Sequence, residues 1–356
     1  MTAATARAQG RRPPVPASIV GAPPPVIGSL CTGIAGLDLG LAAALGGAHV
    51  AFTADTDPDA ARFLAHRFPS TPNLGDVADI EWSRLQPVDI ITAGFPCEDV
   101  SISGRGAGIA EGTRSGTWAH VMEGVRRLRP RLLIVENVAA LRWRWRGAGL
   151  DRVLSDLAAA GYDAQWCSLR ARDIGAPHNR ERLFLAAYPG RPRCRTRPLP
   201  SRRAKTPGQA DRAARCDPPP RRDQPGGRLL HPELLTDALC TAPAQAPEVA
   251  DCPLDATGSW GAQETAIRRW EKATSHPAPC PLEPGQRGGR RLNACFTEWL
   301  MGFAPGWITD PALRLSRDAH LRLLGRAVIP HQAHAALRLL VTGSDHPEGH
   351  PWRSHL

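Results

Sequence analysis

Three features of the sequence predict an α/β protein built on a parallel, doubly wound sheet. Short apolar runs alternate with helical ones from Val26 to about Tyr188. They recur at the spacing of strand–helix units. Residues able to do chemistry cluster where the apolar runs end, which is where such folds place their sites. VIGSLC reads as the first strand, and GLDLGLAAAL as a helix entered through a glycine-spaced turn. HVAFTA and DAARFLAHRF repeat the unit. VDIITAGF, RLLIVEN and RLFLAAY are further strands, and WAHVMEGVRRL and LDRVLSDLAAAG are amphipathic helices, the second stopped at Gly161. From Pro189 to about Arg290 the pattern dissolves into Pro, Arg and Gly, with one helical stretch at AQETAIRRWEKA. Order returns with LNACFTEWLMGF and ends in the amphipathic PHQAHAALRLLV; no internal repeat is present.

A chain of 356 residues can bury a sizeable core as one large domain or two ordinary ones. Its opening, MTAATARAQGRRPPVPAS, lacks the apolar centre of a secretory signal and reads as a disordered arm. No apolar run reaches membrane length. The nine cysteines are scattered, odd in number and without CxxC pairs, which suits a reducing compartment. The expectation is a cytoplasmic protein with no membrane partner. Cys240, Cys252, His276 and Cys280 are spaced too irregularly for a zinc site, so no metal is expected. The net charge is +10, and Gly190 to Arg228 holds twelve Arg or Lys against three Asp, so nearly all of it. A basic block among prolines reads as a solvated linker, and in a nucleic-acid enzyme as a segment that touches phosphates.

Six stretches carry chemistry. SLCTGIAGLDLGL runs a strand through Gly33 and Gly36 into a helix, a turn that lets a ligand approach the backbone. It is not the dinucleotide GxGxxG pattern. About twenty residues on, Asp55 and Asp57 stand where a nucleotide fold puts its ribose acid. Asp76 follows in a loop, where a carboxylate accepts from an adenine amino group or caps a turn. GFPCEDVSISG places Cys97 at a Pro turn beside acids and hydroxyls, outside the apolar run that a packing cysteine would occupy. IVENV sets Glu136 at a strand's carboxyl end, where partial burial would raise its pKa into the range of a general acid. GAPHNRERLFLAA alternates Arg180 and Arg182, which on an extended segment share a face and need an anionic or carbonyl-rich partner.

Taken in order, these stretches resemble the DNA (cytosine-5)-methyltransferase family of bacterial and phage type. LNxxFxEWLMGFxxGW and a GxAVxPxQA-like end complete the likeness, which spans about Val26 to Tyr188 and Arg291 to Leu340. The resemblance implies a Rossmann-like S-adenosylmethionine-dependent sheet with a smaller, irregular target-recognition region. Its divisions would be a disordered arm over 1–25, a catalytic domain over 26–189 and an Arg/Pro-rich target-recognition region over 190–321. A helix over 322–343 would return to the sheet beside its first strand, and 344–356 would be a disordered tail. By the same resemblance Cys97 is the nucleophile that adds to carbon 6 of a flipped-out cytosine in double-stranded DNA. Glu136 contacts ring nitrogen 3, Arg182 holds the base carbonyl oxygen, Arg180 supports the site, and Ser101 touches the DNA backbone. Cys31, Thr32, Gly33, Gly36 and Leu37 underlie S-adenosylmethionine, Asp55 takes its ribose and Asp76 its adenine, with Val77, Phe95 and Pro96 packed nearby. The implied setting is restriction-modification or phage and host DNA protection, as a monomer with a companion restriction endonuclease. Two rival readings are methylation of RNA cytosine and a DNA-binding regulator without turnover. The chain departs from the family at Cys31 (usually Phe), Ala35 (Gly), Asp55 (Glu), His178 (Gln) and Arg326 (Asn).

Overall fold

The computed structural model describes residues 24–95, 116–143, 148–190, 228–230, 260–285 and 288–341. Strand β1 (Val26–Leu30) pairs in parallel with β2 (Ala48–Ala54) on one side and β3 (Ile90–Ala93) on the other. Next to β3 lies β4 (Leu132–Val138), also parallel. The edge strand β5 (Tyr162–Arg170) joins through β6 (Glu181–Pro189), which runs antiparallel to both β4 and β5. A short β7 (Arg228–Leu230) closes the opposite edge against β2, giving the order β5-β6-β4-β3-β1-β2-β7. The winding reverses between β1 and β3, so a crevice opens at their carboxyl ends.

Central strands are apolar on both sides, and consecutive residues such as Ile134 and Val135 or Phe184 and Leu185 feed opposite cores. Helices α1 (Gly36–Leu45) and α2 (Pro58–Arg67) lie on one face. The other face is covered by α3 (Thr117–Leu128) and α4 (Ala148–Ala159). The remaining described elements are α5 (Glu264–Thr274), a hairpin of β8 (Leu282–Pro284) and β9 (Arg290–Leu292), α6 (Ala294–Leu300), α7 (Arg317–Arg326) and α8 (Pro330–Leu340). This is the doubly wound α/β sheet that the alternation predicts, but it is not parallel throughout: β6, the expected strand RLFLAAY, and β7 run antiparallel to their neighbours. Among the described residues no helix is long and apolar enough to cross a membrane.

Several elements differ from the sequence reading. β5 has no continuous apolar run; as an edge strand it stays half-buried for most of its length, so Asp163, Gln165 and Ser168 are tolerated. α7 starts at a Ser316 cap whose hydroxyl accepts from Ala319 N–H, so the boundary placed between 321 and 322 falls inside a helix. The described parts of 190–321 are not a body apart. Trp270 of α5, Trp299 of α6 and the loop residues Phe303, Trp307 and Leu313 share one apolar cluster with α1 and α8. α8 returns to the sheet domain, with its main contacts on α1, β5 and β6. At Gly40 of α1 a methyl group would come within 2.5 Å of Ala333 Cβ and 2.6 Å of the Pro330 carbonyl oxygen, so the two helices meet without a side chain between them. The basic block ends in structure: β7 takes up Arg228–Leu230, and Leu230 is fully buried. Residues 1–23, 191–227 and 342–356 lie outside the described residues, as do Cys240 and Cys252.

Candidate active site

β1 leads into a turn in which Cys31 (φ 52°), Gly33 (φ 56°) and Ala35 (φ 62°) all adopt left-handed backbone conformations. For an alanine that conformation costs on the order of 1–2 kcal/mol, a cost that a glycine would not carry. The strain is held by bonds to β2. Thr32 N–H donates to the Ala54 carbonyl, and Thr32 Oγ1 accepts from Ala54 N–H while donating to the Ser29 carbonyl. Gly33 N–H donates to Asp55 Oδ2 at 2.7 Å, and Asp57 N–H to Asp55 Oδ1 at 2.9 Å. Burial raises the Asp55 pKa above the ordinary carboxylate value, against these two donors. Asp57 itself caps α2 and pairs with Arg322 of α7.

At Gly36 a methyl group would stand 2.0 Å from the Val328 carbonyl oxygen, so the C-terminal segment rests directly on the turn. Leu37 and Asp38 follow, both buried. Asp38 accepts from Ser29 Oγ at 2.8 Å and Thr92 Oγ1 at 2.6 Å, tying α1 to β1 and β3 under the crevice. Burial lifts its pKa to about 6. Sequence reasoning passed over it, although a lone acid inside an otherwise apolar helix was the available signal.

The crevice is a cavity of about 840 Å³. The expected cofactor residues Cys31, Thr32, Gly33, Gly36, Leu37, Asp55, Asp76, Val77 and Phe95 all line it, together with Glu136 and Arg182. Asp76 is exposed on its rim and accepts from Ala78 N–H, while Val77 is buried. Arg326 lines it too, and its guanidinium lies 3.7 Å from Asp57. Pro96, Cys97 and Ser101 lie outside the described residues.

At the end of β4, Glu136 is 7% exposed, and its Oε1 lies 2.9 Å from Arg182 Nε. The N–H is not aimed at that oxygen, so the contact is an ion pair without a formed hydrogen bond. Burial raises the Glu136 pKa, with Arg182 and then Arg180 opposing it. Asn137 is buried beside it; its Nδ2 donates to the Phe95 carbonyl at 2.9 Å and its Oδ1 accepts from Val138 N–H. The strand end thus grips the chain two residues before Cys97. Arg180 and Arg182 flank the carboxylate as their alternation requires, but with different partners. Arg180 donates to the carbonyls of Gly325 (2.9 Å) and Ala327 (2.7 Å), and burial brings its pKa down to about 10. It therefore clamps the segment that walls the cavity above Gly36. His178 Nδ1 accepts from Arg180 N–H, and its Nε2 reaches the Leu300 carbonyl at 3.2 Å.

The sequence profile of C-5 cytosine-specific DNA methylases matches residues 26–217. Among named relatives, the type II methyltransferase M.NlaIV of Neisseria lactamica is 34% identical over 141 residues, 38% of this chain and 33% of its own length. M.CviJI of Paramecium bursaria Chlorella virus IL3A is 35% identical over 159 residues, 44% of this chain and 41% of its own. The chain spans between a third and a half of the length of these relatives. A solved structure of the S. pombe Dnmt2 methyltransferase shares the fold, at 13% identity and a TM-score of 0.56, covering 90% of this chain and 100% of that one. The profile match takes in the strained turn, the Pro-Cys loop, the Glu136 strand and the Arg-x-Arg segment, more than half of the sequence, and the chain belongs to the C-5 cytosine-specific DNA methylase family.

Proposed function

We propose that the protein transfers a methyl group to carbon 5 of a flipped-out cytosine in double-stranded DNA, through a covalent adduct at Cys97. The observation that carries this reading is the buried Glu136–Arg182 pair, which faces the same cavity as the Gly33–Asp55 turn. The cavity residues fit S-adenosylmethionine, the methyl donor used in this family. A side chain at Gly33 would point into open space, so nothing blocks close approach to the turn. Each Asp55 oxygen accepts one backbone N–H and has a lone pair left for a ribose hydroxyl. Asp76 on the rim would take the adenine amino group, with Val77, Phe95 and Pro96 packed beside it. When bound, the donor supplies an electrophilic methyl group.

The chain's own residues do the rest. Cys97 Sγ, as thiolate, adds to carbon 6 of the ring and makes carbon 5 nucleophilic. Negative charge then develops on the ring. Glu136, kept protonated more readily by burial, places its proton at nitrogen 3, and Arg182 faces the base carbonyl oxygen. Asn137 fixes the approach of the Cys97 loop, and Ser101 meets the DNA backbone. Once carbon 5 carries the methyl group, its proton passes to solvent, Cys97 Sγ leaves as thiolate and nitrogen 3 returns its proton to Glu136, which restores the aromatic ring. The target atoms are buried in a duplex, so the base must leave the stack first. The setting is restriction-modification or protection of phage and host DNA, with a monomeric, cytoplasmic enzyme and a companion endonuclease.

Bisulfite sequencing of host DNA after expression tests the reading. Protected cytosines in one sequence context are expected, and none with Cys97→Ser, whose hydroxyl barely ionises near neutral pH. Methylated cytosines confined to RNA would replace DNA as the substrate. Cofactor binding with no methylated nucleic acid would leave a regulator.

A further inference from the structure

Among the described residues four large apolar side chains are exposed, and Trp143, at 56%, is the most exposed of them. It follows the short helix Ala139–Arg142 that continues β4, five residues beyond Val138. Leu141 is 1% exposed and seats that helix on the core, while the indole two residues on stays at the surface. The Arg142 guanidinium lies over the ring, 5.0 Å from its centroid, and the side chain as a whole stays exposed. Arg142 is itself anchored: its Nη2 donates to Glu181 Oε1 at 3.0 Å. Glu181 immediately precedes Arg182, and Arg182 opposes Val138 in the β4–β6 ladder. The exposed indole therefore stands beyond the carboxyl end of the strand that carries Glu136, with Glu181 on the opposite side of the sheet from Arg182.

The surface continues along β5. Arg170 lies 3.7 Å from the other Glu181 oxygen, so two guanidiniums share one carboxylate and the cluster stays net positive. Trp166, 44% exposed, is four residues earlier on the same strand and so on the same face, roughly 13 Å away. Cation and aromatic thus alternate down one face of the sheet from its carboxyl end. Guanidinium suits phosphate, and a bare indole face suits a nucleobase of any identity.

We infer that this strip is a nucleic-acid contact, in which Trp143 stacks on an unpaired base while Arg142 and Arg170 hold the neighbouring phosphates. The inference rests on the proposed DNA methylation and adds where the duplex lies. Neither residue touches the reacting atoms.

The test uses the full chain and two labelled duplexes of the same sequence, one fully paired and one with a single unpaired cytosine. Trp143→Ala is expected to weaken binding to the second about tenfold, within the range for loss of one base–aromatic stack, and to change the first less. The indole carries no charge, so the slope of log affinity against log salt should stay put in that variant. Arg142→Gln should flatten the slope by about one unit, and Trp143→Phe should recover most of the loss. S-adenosylmethionine affinity and thermal midpoint serve as fold controls, expected unchanged. Wild-type affinity for both duplexes in Trp143→Ala, with methylation intact, would overturn the strip and leave the reaction standing. Tight stacking-dependent binding without any methylation would do the reverse.

Discussion

Asp38 and Glu136 show how burial sets what a carboxylate can do. Glu136 sits at the end of β4 beside Arg182, burial raises its pKa against Arg182 and Arg180, and in the proposed reaction it donates a proton to a ring nitrogen. Replacing it by Gln keeps the shape and removes the titrating proton. Turnover should fall on the order of a hundredfold or more, with little change in DNA affinity, in single-turnover assays. Asp38 sits below, fully engaged by two hydroxyls, and its pKa is lifted from 3.8 to about 6 by burial. A carboxyl whose folded pKa is raised binds its proton more tightly in the native state. Its contribution to stability is therefore greatest below the unfolded pKa and declines as pH rises through the folded one. Two units correspond to about 3 kcal/mol across pH 4 to 6. His331 works oppositely in the same window, because burial lowers its pKa to about 4 and acid favours the unfolded form. Other buried acids add to the curve, so the difference between wild type and Asp38→Asn isolates one group. Denaturant unfolding at pH 4 and pH 7 should show the variant gaining relative to wild type at the higher pH. A constant difference would mean that Asp38 is not desolvated.

Among the elements, the contact of the C-terminal segment with the glycine turn does the most to shape the site. Gly36 touches the Val328 carbonyl, Arg180 holds the carbonyls of Gly325 and Ala327, and Gln332 Nε2 donates to the carbonyls of Leu169 and Arg180. Arg322 of α7 adds ion pairs to Asp57 and Asp59 at the start of α2. One wall of the cofactor cavity is thus built from chain nearly three hundred residues away from the turn it covers. Gly36→Ala should force backbone apart rather than a side chain aside. A loss of about 1–3 kcal/mol in unfolding free energy is expected, together with weaker S-adenosylmethionine binding by calorimetry, because Ala327 and Val328 line the cavity. Unchanged values for both would mean that the segment moves freely on the turn.

For the whole molecule the question is how a net charge of +10, nearly all in one block, meets a polyanion. The described chain leaves the sheet at Gly190, whose N–H donates to the Gly161 carbonyl, and re-enters at β7 beside β2, on the opposite edge. The block is tied at both ends to the sheet, and the buried Leu230 belongs to the fold. Replacing 191–227 by a neutral Gly/Ser linker while keeping Arg228–Leu230 should leave folding and S-adenosylmethionine binding intact. The same sites should be methylated more weakly, with a salt slope shallower by about one unit per phosphate contact removed. A changed recognition sequence would show that the block reads bases.

The doubly wound sheet, the glycine turn, Asp55 and Glu136 were legible in the sequence because each depends on local order: apolar periodicity, a strand end, a fixed spacing. The departure at Ala35 was visible against the family's Gly, but its left-handed backbone was seen only in the fold. β5, α7 and the role of Asp38 were not legible. An edge strand needs only partial burial, a charged surface helix has a weak apolar stripe, and a buried acid is set by what packs over it. The tertiary structure alone decided that Arg180 serves the C-terminal segment while Arg182 serves Glu136. Two residues apart, the arginines look alike in sequence. Their roles diverge because one meets backbone carbonyls returning from residues 325–327 and the other a buried carboxylate on β4, and such distant partners come together only when the chain is folded.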